Sequence, residues 1–394
     1  MKKYLVGGAV RDQLLNFPFS EKDWVVIGST PEEMIKQGYR PVGKDFPVFL
    51  HPETNEEYAL ARTERKAAPG YTGFTFHADP SVSLEEDLER RDLTINAMAQ
   101  DQNGEVIDPY DGQEDLDQRK LRHVSLAFTE DPVRVLRVAR FSARYHHLGF
   151  TVAVETLDLM YAMVAQGETK HLVAERIWQE LSKALTEKSP QQFFSTLSLS
   201  GALSDIFPEF TKEHYQAGLS LLTTISKNSN DAQLRFAAMC HPLSQSDIQS
   251  LCKRLGAPNE YRDCALLFNE YASTFISLAH PFIVSTEGEH IQNKANDISK
   301  LLKKIDANRR EKRFKQLLEG AAILFYTKEQ QKLISFWQNA LQHYLNVNPQ
   351  ALIEQGYEKA DLGEALFQQR IKNVAAYLEN HTLKNHKQTH ENKP

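Results

Sequence analysis

The periodicity of the chain changes once, near Glu130, and this change limits the fold more than any other feature. Before it, short apolar runs alternate with turn residues; after it, helical spacing dominates and β-branched runs are few. Tyr4-Leu5-Val6 reads as a strand running into Gly7-Gly8, with Ala9 to Leu15 as a helix behind it. Residues 24–28 read as a second strand. Thr30-Pro31-Glu32-Glu33 is a capping box with proline at the first helical position, so a helix starts there. Residues 46–50 and 57–61 read as a hairpin joined by 51–55. Residues 62–76, with Pro69, Gly70 and Gly73 among charges, read as a mobile loop and as the part that could rearrange a pocket. The fold class is α+β in front and all-α behind.

A chain of 394 residues is long enough for two or three domains. With 41% apolar and 25% charged residues it has an ordinary soluble composition. Cys240, Cys252 and Cys264 form no CxxC pair, which argues for buried thiols in a reducing compartment rather than a zinc ribbon or disulfide framework. No signal peptide and no 18-residue apolar stretch is visible, so a cytoplasmic protein without a membrane partner is expected. The net charge of −6 argues against bulk nucleic-acid affinity. A basic run, Lys300, Lys303, Lys304, Arg309, Arg310, Lys312 and Arg313, is relieved only by Asp306 and Glu311; it reads as a solvated helix face or as an RNA contact.

Glu21 and Asp23 stand just before the apolar run Trp24-Val25-Val26-Ile27. On a strand, residues i and i+2 share a face, so these acids project together, away from Trp24 and Val26. Two carboxylates side by side repel unless a cation lies between them. Mg²⁺ suits the position because it takes hard oxygen ligands and often only one or two carboxylates; two solvated acids are the alternative. The neighbouring Gly7-Gly8 turn lets backbone approach a ligand, the helix behind it offers free N–H groups, and Arg11 can fork onto a phosphate. No GxxxxGK[ST] loop occurs. Phosphate on one side and metal on the other are the needs of nucleotidyl transfer.

A third signal lies in residues 130–141. Arg134, Arg137, Arg140 and Arg144 are spaced 3, 3 and 4, within a helical stripe of about 120°. Val135, Leu136, Val138, Ala139 and Ala143 occupy the other face and read as core. Four arginines with almost no acids between them repel, which favours an anionic partner over a merely solvated face.

These motifs together, GGAVRD with the acid pair, RRDLTINAMA (90–99), DPYDG (108–112) and EDPVRVLRVARF (130–141), resemble the class II tRNA nucleotidyltransferases, the CCA-adding enzymes. They resemble the bacterial poly(A) polymerases less closely. The likeness is dense over residues 1–185 and thinner over 186–384, where LCKRLGAPNEYRD (251–263) and IEQGYEKADLGEALFQQRI (353–371) still look like the long proteobacterial type. The resemblance implies a polymerase-β-like nucleotidyltransferase head with a mixed or antiparallel sheet (1–125), a helical, nucleotide-selecting neck (126–195), a degenerate phosphohydrolase-like region (196–290), a tRNA-binding tail (291–384) and a disordered end (385–394). It implies template-independent addition or repair of the tRNA 3′-terminal CCA from CTP and ATP, dependent on Mg²⁺, with pyrophosphate released. Glu21 and Asp23 are then the catalytic metal ligands. Gly8, Arg11 and Arg91 contact the nucleotide, and Asp92 its sugar; Arg91 and Asp92 lie just before what reads as an apolar helix, and capping of that helix is the other reading of Asp92. Asp131 and Arg134 act as an amino-acid template, while Arg137 and Arg140 hold the triphosphate or stabilise charge in transfer. Asn96 reads as structural, and Asp108 to Gly112 as a turn bracing the sheet. One departure stands out: the family usually has Asp where this chain has Glu21, a methylene longer by about 1.5 Å.

Long members of the family often carry a metal-dependent phosphohydrolase domain marked by a His-Asp dipeptide. In LRFAAMCHPL (234–243) the dipeptide is His241-Pro242, QAGLSLL (216–222) has no histidine, and Ala272-Ser273 follows Glu270-Tyr271. The region reads as a relic with its metal site erased, His241 as a core or capping residue, and hydrolase activity as absent. A poly(A) polymerase-type enzyme and a catalytically silent tRNA-binding protein are the rival readings. Monomer and homodimer are equally compatible with the sequence, as are addition of both C and A and addition of only one.

Overall fold

Strand β1 (Lys2–Val6) pairs antiparallel with β2 (Asp23–Ile27), with Val6 opposite Asp23. This pair is the centre of the first of two units, Met1–Phe210 and Thr211–Pro394, in a computed structural model that describes residues 1–19, 21–42, 48–66, 74–77, 79–284, 290–324 and 329–391. Between the two strands lies helix α1 (Gly8–Leu14). After β2 come α2 (Pro31–Lys36), β3 (Arg40–Val42), β4 (Val48–Leu50) and β5 (Glu57–Leu60). The Thr30 hydroxyl and the Glu33 carboxylate exchange bonds with each other's backbone N–H groups, so the expected capping box forms. The hairpin read from the sequence is β4 against β5.

Next are β6 (Thr63–Lys66), β7 (Phe74–His77), α3 (Leu84–Glu89), β8 (Ala99–Gln100), β9 (Val106–Ile107), α4 (Gly112–Asp117) and β10 (Lys120–Leu121). The seven-stranded sheet runs β3-β4-β5-β2-β1-β8-β9 and is antiparallel except where β2 meets β5. It is therefore the mixed sheet expected of the head. Consecutive residues of β2 feed opposite faces. Val25 packs with Val6, Leu88 and Ala99, whereas Val26 packs with Met34, Phe49, Tyr58 and Trp24. Asp23 shares the face of Val25, as the alternation requires.

Two local expectations are corrected. The mobile loop at 62–76 contains an antiparallel ribbon, β6 against β7; residues 67–73, with Pro69, Gly70 and Gly73, lie outside the described residues. Glycine and proline dominate a local reading there, and strand pairing shows only when both flanks are brought together. The apolar stretch after Asp92 is a single 3₁₀ turn, Thr94–Asn96, leading into β8 rather than a helix. Leu93, Ile95, Ala97 and Met98 are all fully buried, so packing on every side overrides periodicity. The turn at 108–112 does brace this region. Asp108 accepts the N–H groups of Gly112 and Gln113, both at 2.8 Å. A Cβ at Gly112 would sit 2.5 Å from the Thr94 carbonyl oxygen, so only glycine fits.

The rest of the first unit is mainly helical: α5 (Val133–Tyr145), β11 (Thr151–Val152), α6 (Val154–Ala165), α7 (Ala174–Thr186), α8 (Gln191–Leu199) and α9 (Leu203–Ile206). The second unit, in its described residues, is wholly helical: α10 (Lys212–Asn228), α11 (Ala232–Cys240), α12 (Gln245–Leu255), α13 (Asn259–Val284), α14 (Ile291–Lys304), α15 (Glu311–Leu324), α16 (Gln330–Leu345), α17 (Pro349–Glu354) and α18 (Lys359–Glu391). The backbone of α18 stays helical through 385–391, where a disordered end is expected. Cys240, Cys252 and Cys264 are buried free thiols. None of the described helices is long and apolar enough to cross a membrane.

Candidate active site

The β1–α1 turn and the start of β2 converge on one cavity of about 760 Å³. Gly7 sits at φ 69° and donates its N–H to the Met98 carbonyl at 3.1 Å. A Cβ there would lie 2.8 Å from Arg91 Nη1, so glycine is needed both for the left-handed backbone and for the approach of Arg91. Gly8, Glu21 and Asp23 line the same cavity. Asp23 begins β2 and Glu21 precedes the strand; both side chains are exposed at the edge of the cavity. Withdrawal from water at the cavity wall raises the Asp23 pKa, Arg91 opposes this, and the Glu21 charge adds to it.

The arginine stripe on α5 borders this cavity, but it is not a solvated face. Arg134 and Arg140 are buried, and the core face behind them, Val135 to Ala143, is sealed. Each stripe arginine has an acceptor from another element. Arg134 donates to the Ala127 carbonyl at 2.8 Å, Arg137 to Asp92 at 2.6 Å, Arg140 to Glu180 at 2.5 Å and Arg144 to Asp12 at 3.1 Å. The mutual repulsion expected from spacing alone is thus largely met inside the protein. Asp92 also accepts from the Asn96 amide and the Leu93 N–H. Burial would raise its pKa, but Arg137, Asn96 and Arg134 outweigh burial and hold it far below the usual carboxylate range. Arg137 in turn titrates above its ordinary value, mainly through Asp92.

Arg11 is equally committed. Its guanidinium donates to Asp12 and to the Asn96 side chain, and lies 5.2 Å from the ring centres of both Phe141 and Tyr145. Asp12 also accepts the Tyr145 hydroxyl at 2.8 Å. This network ties α1, and so the glycine turn, to α5. Arg91 pairs with Asp87 at 3.2 Å. The Nε atoms of Arg91 and Arg144 are buried without a hydrogen-bond partner among the described residues.

Asp131, Arg134, Arg137 and Arg140 all line the cavity, and so do Arg91 and Asp92. Sequence reasoning missed Asp12 and three residues on or just past α7. Arg176 donates to both Asp131 oxygens, Glu180 holds Arg140, and burial raises the pKa of Glu187. Arg176 and Glu180 are spaced i,i+4 with opposite charges, which reads locally as a surface ion pair. Each reaches α5 or its entrance instead. Around the cavity ten cationic side chains face six carboxylates.

Family models match at both ends of this unit: "Poly A polymerase head domain" over residues 3–122 and "Probable RNA and SrmB- binding site of polymerase A" over 149–213. The chain is 46% identical to the "Multifunctional CCA protein" of Legionella pneumophila (strain Lens), across 94% of this chain and 96% of that one. It is 44% identical to the protein of the same name from Teredinibacter turnerae, across 95% and 97%. The chain belongs to the class II CCA-adding enzymes. Solved structures of the family share the fold. The Thermotoga maritima CCA-adding enzyme complexed with tRNA gives a TM-score of 0.68 at 20% identity, covering 98% of this chain and 91% of that one. A CCA-adding enzyme with CTP gives 0.69 at 21% identity, covering 98% and 91%. The poly(A) polymerase reading is not favoured by these relatives.

In CCA-adding enzymes, as in nucleotidyltransferases generally, a divalent metal is required. The donor set here fits one: two acids line one cavity, and the Asp23 carboxyl is strained upward by its surroundings and by Glu21, which a cation would relieve. In the second unit, Lys300, Lys303 and Lys304 lie exposed on α14, Arg309 and Arg310 are exposed in the turn after it, and Arg313 on α15 is partly buried. Arg313 donates Nε to the Ile305 carbonyl at 3.1 Å, so its guanidinium is used in holding that turn. His241, at the end of α11, packs edge-on against Phe268 at 5.4 Å, and burial lowers its pKa. A Cβ at Gly218 would sit 2.4 Å from the Met239 carbonyl, so α10 and α11 touch where the sequence lacks a histidine. Among the described residues no three His, Cys, Asp or Glu side chains group as a metal site.

Proposed function

We propose that the cavity of the first unit joins the 3′ end of a tRNA to CTP or ATP. The chain is a tRNA nucleotidyltransferase that adds CCA without a nucleic-acid template, and its working place is the cytoplasm. The observation that carries the placement is the meeting of the acid pair, the glycine turn and the α5 arginines in one cavity. Glu21 and Asp23 would hold Mg²⁺, which when bound supplies Lewis acidity toward the 3′-hydroxyl and the phosphates. Arg137 and Arg140 bind the triphosphate, with the unpartnered Nε groups of Arg91 and Arg144 as further donors. The local excess of positive charge favours a triphosphate although the whole chain is at −6.

Base choice falls to Asp131 and Arg134. A carboxylate accepts from an exocyclic amine, which cytosine and adenine carry, and a guanidinium donates to ring acceptors. Asp92 keeps Arg137 in place, and Gly8 and Arg11 shape the phosphate end through the α1–α5 network.

Incubating the protein with tRNA that lacks its 3′ end and with Mg²⁺ tests this reading. CTP alone should extend the RNA by two residues and stop, and ATP should then add one. A ladder of adenylates, or no extension, would overturn it. The same preparation should not release phosphate from phosphomonoesters with Ni²⁺ or Mn²⁺; robust metal-dependent release would give α10 and α11 a function that His241 and Gly218 argue against.

The exposed Lys300, Lys303, Lys304, Arg309 and Arg310 provide phosphate contacts for the tRNA body. Replacing Lys303 and Arg309 with Gln should lower the slope of log affinity against log salt by about 1 per lost contact, with little change in nucleotide choice. An unchanged slope in a filter-binding titration would assign those side chains to solvent.

A further inference from the structure

We infer that Arg176 is a positioning residue for base selection, and that it acts by leaving Asp131 one open acceptor. The inference rests on the reading of Asp131 as a base-contacting residue. Asp131 Oδ1 accepts the Val133 N–H at 3.0 Å and Arg176 Nη1 at 3.0 Å, and Oδ2 accepts Arg176 Nη2 at 2.8 Å. An ionised carboxylate offers about four acceptor positions. Among the described residues three are taken, and the fourth is on Oδ2. Both Asp131 and Arg176 line the cavity, so the occupied fork and the remaining position belong to the nucleotide's surroundings.

The fork also sets the angle of the carboxylate. The terminal torsion of an Asp side chain is broad and roughly two-fold, so one bond from Val133 N–H does not fix it. Two parallel bonds from a planar guanidinium do. Arg176 is itself held at the right depth, because Glu180, four residues on and so on the same face of α7, is bonded to Arg140 of α5. One fixed acceptor matches one exocyclic amine. Uracil carries a carbonyl oxygen where cytosine carries its amine, and a fixed carboxylate oxygen repels it. A carboxylate free to turn away relaxes that penalty.

The test is the ratio of kcat/KM for CTP to that for UTP on tRNA lacking its CCA end, in the full chain. Arg176→Met keeps the bulk and removes every donor. Its ratio should fall roughly 5- to 100-fold, the range for one bidentate base contact, and more through faster UTP use than through slower CTP use. Arg176→Gln carries the same expectation if a thermal melt shows the Met variant unfolded. A ratio within twofold of the parent, or an equal loss for both nucleotides, would overturn the inference. Asp131→Ala separates the two levels. If it loses selectivity while the Arg176 variants keep it, only the positioning role falls. If it too keeps selectivity, the base-contacting reading falls with it.

Discussion

Replacing Asp23 with Asn should lower CTP incorporation by about a thousandfold, equivalent to about 4 kcal/mol of barrier, without weakening the fold. Asn keeps the size of the side chain but removes the charge that would hold a divalent cation beside the glycine turn. The structural side has the opposite sign. In the folded protein the Asp23 carboxyl titrates above its ordinary value, because it is partly withdrawn from water and faces Glu21. A raised carboxyl costs stability when ionised, and that cost vanishes as pH falls through the raised value. The Asn variant never bears it, so its thermal midpoint at neutral pH, without metal, should equal or exceed that of the parent. A drop of several degrees together with lost activity would mean that Asp23 is structural. Glu21→Asp is the companion experiment. It shortens the reach by one methylene and restores the usual family residue, and it should leave incorporation equal or higher, with the Mg²⁺ dependence shifted to lower concentration.

The largest stability effect should come from Asp92→Ala. Asp92 is 6% exposed and gathers Arg137, the Asn96 amide and the Leu93 N–H. Removing it leaves these donors without their acceptor. Breaking a buried pair costs about 3–5 kcal/mol; the lower end, about 3, applies here because the Arg137 side chain keeps 37% of its surface in water. Urea unfolding at pH 7 reads this directly. The pH dependence has a definite sign. The Asp92 pKa is depressed in the folded protein, so its contribution is present above the ordinary carboxylate value of about 4 and is lost as pH falls below it. The gap between parent and variant should therefore narrow in acid. A gap below about 1 kcal/mol at pH 7 would contradict the importance of this contact.

Local spacing made much of the molecule legible. The strand, glycine turn and helix at residues 2–14 follow from an apolar run meeting Gly7-Gly8, and α2 starts where its capping box predicts. The i and i+2 acids share a cavity, as read from the sequence, although only Asp23 lies on the strand and Glu21 stands just before it. The face of α5 carrying Val135, Leu136 and Val138 is core, as a 3.6-residue period requires. The 62–76 stretch and the turn after Asp92 were not legible. One depends on pairing between segments, the other on burial from all sides.

The sequence by itself determined which groups stand on which face: the acids beside the bend, the arginines along α5, and the absence of a His-Asp dipeptide at 241–242. Only the tertiary structure decided what each group answers to. Arg137 meets Asp92 45 positions away, Arg140 meets Glu180 40 away, Arg144 meets Asp12 132 away, and Asp131 meets Arg176 45 away. Periodicity reports the direction of a side chain relative to its own element. The partner it finds depends on how α1 and α7 dock against α5, and that is set by packing between segments far apart in the chain.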